Sequence, residues 1–142
     1  MKYFLCLLLI FGIENCIAQN SEKTIFDFSE KNAEKISLIE LIANPTKYDG
    51  KVIEVMGFLS LEFEGQALYL QKDDYEYFNL KNGVSILASI SEEEKKNCHL
   101  KFVSIIGKFQ LKIHNKMGTN WSGWLITKNI DPALTREELK KI

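Results

Sequence analysis

Val52-Ile53-Glu54-Val55-Met56-Gly57-Phe58-Leu59-Ser60-Leu61 and Phe102-Val103-Ser104-Ile105-Ile106-Gly107-Lys108-Phe109-Gln110-Leu111 share one pattern, and their reading decides the fold. Each carries a glycine near its centre. Ile53, Val55, Leu59 and Leu61 in the first stretch, and Val103, Ile105, Phe109 and Leu111 in the second, occupy every second position. A two-residue period puts those side chains on one face of an extended strand, where they can be buried together. Glycine inside a strand packs nothing itself and marks a bend or the close approach of another backbone. Two long strands that bend at their middles predict a small closed barrel.

Working outward, Ser37 and Glu40 have capping-box spacing in front of Leu38, Ile39, Leu41 and Ile42, and Asn44-Pro45 stops the predicted helix. Asp49-Gly50 turns the chain into the first long strand. Glu64-Gly65 then turns it back into a second strand at 66–70, a hairpin. Residues 71–82 are polar and predict a long loop with a helical turn around Asp73-Asp74-Tyr75. A third strand at 84–90 places Val84, Ile86, Ala88 and Ile90 on one face, and Ser91 with Glu94 caps a helix that ends near Asn97. After the second glycine-centred strand, the loop 114–120 leads to a last strand at 121–130, and Thr135 with Glu138 caps a short C-terminal helix. Three strands, a helix and two strands is the order of the five-stranded Greek-key barrel called the OB-fold, whose first strand bends to serve both sheets. The predicted class is therefore all-β with small α content: that barrel with an N-terminal helix, a helix between strands 3 and 4, and a short C-terminal helix.

Composition bounds the rest. The chain has 142 residues and 46% hydrophobic content, enough for one core. Lys2, the apolar run 3–13 and the small-residue exit Cys16-Ile17-Ala18 follow the order of a secretory signal, and the run is too short to span a bilayer. The expected organisation is a signal peptide at 1–18, a linker or arm at 19–36, the barrel with its N-terminal helix at 37–131, and a tail helix at 132–142. The expected location is periplasmic or secreted. Cleavage after Ala18 removes one base and one acid, Lys2 and Glu14, so the net charge stays at −1. That balance argues against nucleic acid and against anionic membranes, both of which are bound through clustered Lys and Arg. Cleavage also removes Cys6 and Cys16, leaving Cys98 with no internal partner. Glu14 and Asn15 are poor residues to precede a lipid-bearing Cys16, so a lipid anchor is not expected.

The run 37–45, then Tyr48-Asp49-Gly50-Lys51-Val52, then 61–70, resembles a group of small exported bacterial proteins with a tRNA-anticodon-binding-like OB-fold. His114, Gly118, Gly123 and Ile130 fall where that group has a histidine-glycine loop and its final strand. The resemblance covers about 37–130 and implies the fold. It implies no activity, and its anticodon-binding label describes architecture.

Candidate chemistry is sparse. Cys98 and His99 are adjacent, but in or just before an extended strand they point to opposite faces and cannot share a proton. His114 lies in the loop between the last two strands, a loop that such barrels use for binding. Asp73, Asp74 and Glu76 lack the spacing of a calcium loop and read as a solvated cluster. Glu62 and Glu64 share a strand face but have no nucleophile placed beside them. The remaining signal is aromatic: Tyr75, His114, Trp121, Phe58 and Tyr69 are the candidate ligand-binding residues, because rings on such a barrel stack on sugars, bases or peptides. No cofactor, metal site or catalytic residue is expected. The sequence thus predicts a non-catalytic binding module for a protein, peptide or small polar ligand. Its competitors are an oligosaccharide- or oligonucleotide-binding module and a hydrolase using Glu62, Glu64 and His114.

Overall fold

Both glycine-centred stretches are strands in the computed structural model, which describes residues 25–63, 65–113, 120–134 and 136–140. The predicted leader at 1–18, Glu64, Thr135 and His114 lie outside the described residues. The elements follow in the order β1 (Glu34–Lys35), α1 (Leu38–Ala43), α2 (Pro45–Tyr48), β2 (Val52–Ser60), β3 (Ala67–Tyr69), α3 (Lys72–Glu76), a 3-10 turn (Leu80–Asn82), β4 (Gly83–Ala88), α4 (Glu92–Cys98), β5 (Lys101–Gln110), β6 (Trp124–Thr127), β7 (Asp131–Pro132) and α5 (Arg136–Leu139).

Five of the strands close a ring. β2 pairs with β3, β3 with β4, β4 with β6, β6 with β5, and β5 returns to β2. The β4–β6 pair is parallel and the other four are antiparallel. β2 does double service: its length from Val52 to Leu59 lies against β5, while Phe58 to Ser60 also pairs with β3. The predicted small closed barrel is present, and two short strands are added to it. β1 runs parallel to β2 beside Ile53 and Glu54, and β7 lies antiparallel to β5 beside Val103 and Ser104.

The two glycines answer a steric need. A Cβ on Gly57 would stand 2.6 Å from the Tyr69 carbonyl oxygen and 2.7 Å from Leu68 Cγ. A Cβ on Gly107 would stand 2.6 Å from the Ile126 carbonyl oxygen. A neighbouring strand's backbone crosses where a side chain would be, as the glycine placement predicts. The alternating positions supply the core: Ile53, Val55, Leu59, Leu61, Val103, Ile105 and Phe109 are buried together with Leu68, Val84, Ile86 and Leu125. Leu38, Leu41 and Tyr48 from α1 and α2 join the same cluster.

Local chemistry explains where the elements begin and end. Ser37 Oγ accepts from the Glu40 N–H at 3.1 Å and opens α1. Pro45 does more than stop that helix, because it opens α2, where a missing N–H costs no hydrogen bond. Tyr48, buried at the end of α2, donates its hydroxyl to Glu40, and Lys47 reaches the same carboxylate at 2.8 Å. The expected last strand at 121–130 is shorter, β6 alone, because Thr127 turns the chain: its hydroxyl lies 2.8 Å from the carbonyls of both Ile106 and Asn129.

The arm ahead of α1 is tied down twice. Ile36 N–H donates to the Glu54 carbonyl at 3.0 Å, extending the β1 contact. Lys128 Nζ sits 4.8 Å from the centre of the Phe28 ring and 3.1 Å from the Phe28 carbonyl oxygen.

Candidate functional site

Residues of the opposite parity on the same strands build a second, smaller cluster outside the main core. Phe58 on β2 stands directly opposite Tyr69 on β3 and directly opposite Phe102 on β5, so three aromatic residues form one row across three strands. Cross-strand aromatic pairs of this kind stabilise a sheet and shape its surface. α3 lays Tyr75 over the row, its ring 5.9 Å from Phe58 and 5.7 Å from Tyr69. Trp121, in the segment leading to β6, extends the row from the other side, 5.3 Å from Tyr69. With Phe58 and Phe102 5.8 Å apart, five rings run in unbroken contact from Phe102 to Trp121. Most of these pairs meet edge to face, which suits the ring quadrupoles.

Four of the five residues nominated from the sequence therefore come together, and the fifth, His114, lies outside the described residues. Their roles divide. Phe58 and Tyr69 are buried beneath the others, whereas Tyr75 and Trp121 are half-buried and Phe102 is half exposed. Surface for a ligand is offered by the last three. Phe102 escaped the sequence reasoning, although its parity in β5, opposite to Val103 and Ile105, was its signal. Three exposed rings, Phe63, Tyr77 and Phe78, lie close in the chain to Glu62 and Tyr75.

The two phenols at this face are both shifted upward in pKa. Tyr75 donates its hydroxyl to Glu62 Oε1 at 2.7 Å, and this hydrogen bond pushes the phenol's pKa upward. Burial pushes Tyr69 the same way, with the Glu62 charge adding to it. Both phenols therefore keep their protons at neutral pH. Glu62 is exposed and engaged by Tyr75, and its proposed catalytic partners Glu64 and His114 fall outside the described residues.

Two expectations are corrected. Asp74 is not part of a solvated cluster: it is 4% exposed, and its Oδ1 accepts from Asn79 Nδ2 at 2.9 Å and Asn82 Nδ2 at 2.8 Å. The carboxylate thereby ties α3 to the 3-10 turn, a pairing of residues that only the folded loop brings together. Cys98 and His99 are separated for a reason other than strand alternation, since Cys98 ends α4 and His99 is its C-cap. His99 Nδ1 accepts from the Leu61 N–H at 3.1 Å, and the Cys98 thiol lies 3.7 Å from the Ile130 carbonyl oxygen. Burial raises the Cys98 pKa and keeps the sulfur a thiol.

A shallow groove of about 570 Å³ lies beside β1, α1 and β2, lined by Lys35, Leu38, Ile39, Glu54, Met56 and Leu70 among others. Among the described residues, no group of three or more His, Cys, Asp and Glu side chains is arranged to hold a metal ion, and no helix is long and apolar enough to cross a membrane.

No protein-family model matches the chain, and no curated protein matches it. Among solved structures it is similar to a DUF3299 family protein from Pseudomonas aeruginosa, at 8% identity and a TM-score of 0.47, over 74% of this chain and 99% of that one. It is also similar to a protein described as an aspartyl-tRNA synthetase from Leishmania major, at 12% identity and a TM-score of 0.42, over 85% of this chain. The chain spans 26% of the length of that second protein. Likeness of this degree says nothing about activity. What the molecule itself defines is a small closed β-barrel with an aromatic outer face.

Proposed function

We propose that this protein is an exported, non-catalytic OB-fold binding module that takes a peptide segment of another protein on its aromatic face. The ring order β2-β3-β4-β6-β5 with a parallel β4–β6 pair supports the OB-fold reading. The observation that carries the function is the unbroken row of rings from Phe102 to Trp121, its buried members anchoring a surface that Phe63, Tyr77 and Phe78 extend. Exposed apolar rings desolvate well against a partner and have few rotatable bonds to immobilise. The signal reading of 1–18 supports export, and intact-mass analysis of secreted material should find a chain starting at or near Gln19. Retention of Met1 would remove the export part of the proposal.

The binding part is tested by titrating isotope-labelled mature protein with a peptide library, with chito-oligosaccharides and with oligo(dT), following backbone amide shifts. Peptides are expected to move Phe58, Tyr75, Tyr77, Phe102 and Trp121, and Phe102→Ser or Trp121→Ala should weaken the effect several-fold. If only the oligosaccharide or only oligo(dT) moves those residues, that ligand class replaces the peptide.

A further inference from the structure

We propose that the peptide segment taken by this face is basic, with an arginine or lysine side chain seated at the α3 end against Tyr75, Tyr77 and Phe78. This rests on the reading that the aromatic face binds a peptide. It goes further by naming the chemistry that the face selects.

The first argument is the unmatched charge. Between positions 62 and 78 the described residues include Glu62, Asp73, Asp74 and Glu76 against one base, Lys72. Lys72 is already held by Glu76 at 3.0 Å. Glu62 has a neutral phenol as its partner, and among the described residues neither it nor Asp73 has an ion pair. The next base along the chain, Lys81, belongs to the 3-10 turn, and its carbonyl accepts from the Ser122 hydroxyl at 3.2 Å.

Within this group, Asp74 makes a second argument through its environment. Its carboxylate is buried, its Oδ1 is held by two neutral amides, and its Oδ2 has no hydrogen-bond partner among the described residues. A buried carboxylate ordinarily has a cation or a full set of donors, because leaving it short is costly. Asp74 lies in α3 itself, between Asp73 and Tyr75 and directly before the loop that presents Tyr77 and Phe78.

The third argument is the rings. Tyr77 and Phe78 are 81% and 79% exposed. Phe78 holds φ at 53°, a left-handed backbone that a bulky side chain rarely adopts, yet its ring gains no burial from doing so. The face of an aromatic ring is negative and attracts a cation within about 6 Å, guanidinium above all because it also stacks. Carboxylates beside exposed ring faces therefore favour a cationic side chain and disfavour a phosphate or an acidic peptide.

The experiment compares three short peptides that alternate alanine with arginine, glutamine or glutamate, titrated into the labelled mature protein. The arginine peptide is expected to move amides at 62–63 and 72–79, to bind about tenfold tighter than the glutamine peptide, and to weaken as salt is added. Glu62→Gln with Asp73→Asn should remove most of that preference while circular dichroism stays unchanged. Equal affinity for the arginine and glutamine peptides at those residues overturns the cationic preference and leaves peptide binding standing. A preference that survives the double substitution overturns the assignment of Glu62 and Asp73. Shifts confined to other surfaces, or none with any peptide, overturn both this inference and the peptide reading.

Discussion

At the scale of single residues, the barrel depends on two missing side chains. The carbonyls of Tyr69 and Ile126 pass so close to Gly57 and Gly107 that even a methyl group has no room, and both obstacles are backbone, which cannot swing aside. Gly57→Ala and Gly107→Ala are each expected to lower stability by about 1–3 kcal/mol, read from urea midpoints at an unchanged m-value. Gly65→Ala supplies the control, since a Cβ there meets nothing within 4 Å. Midpoints of all three variants equal to wild type would contradict the steric account. Both glycines were legible as close-approach positions from their place in an alternating strand. Asp74 was not, because nothing local distinguishes it from Asp73: only the return of Asn79 and Asn82 to its carboxylate buries one and leaves the other in water.

At the scale of elements, the arm before α1 shows how a weak sequence signal becomes a strand. Glu34 and Lys35 have no strand-like pattern of their own, but β2 offers a free edge beside Ile53 and Glu54, and the backbone pairs with it. Lys35 then reaches Glu54 at 3.0 Å, and Ser104 donates to the same carboxylate oxygen at 3.0 Å. The Lys35 ammonium is the main reason that the Glu54 pKa lies below its ordinary value of 4.5, with Ser104 adding to it. A depressed carboxyl contributes stability that is present in full above the unfolded-state pKa and is lost as pH falls through the folded value. Lys35→Ala should therefore destabilise at neutral pH and lose that effect well below pH 4.5. Lys35 is largely exposed, so the effect at neutral pH is about 0.2–1 kcal/mol. Urea midpoints across the acid range for wild type and Lys35→Ala check it, and a constant difference at every pH would show that the contact acts through packing rather than charge.

At the scale of the whole molecule, charge bears on the nucleic-acid alternative. The net charge is −1, and Glu62, Asp73, Asp74 and Glu76 gather beside the aromatic face, where a nucleic-acid binder would carry Lys and Arg. Each stacked base contributes only about 1–3 kcal/mol, which repulsion of the phosphates offsets. The protein is expected to show no salt-sensitive binding to single-stranded DNA or RNA at micromolar concentration, measured by fluorescence anisotropy near physiological ionic strength. Micromolar binding that weakens steeply with salt would overturn this and bring back the oligonucleotide alternative. The barrel itself could be anticipated because strand alternation and strand-centre glycines are short-range signals that backbone geometry converts directly into faces and bends. Phe58 and Tyr69 are legible in the sequence as candidate binding rings, yet nothing local says whether they face water or other rings. That depended on registry between segments far apart in the chain: β2 aligned so that Phe58 meets both Tyr69 and Phe102, and α3 folded back to lay Tyr75 over the row. Sequence alone thus determined which residues alternate and where the strands had to lose a side chain. Which rings are buried, which remain exposed, and which carboxylates stand beside them were decided by tertiary contacts, because burial depends on what arrives from elsewhere in the chain.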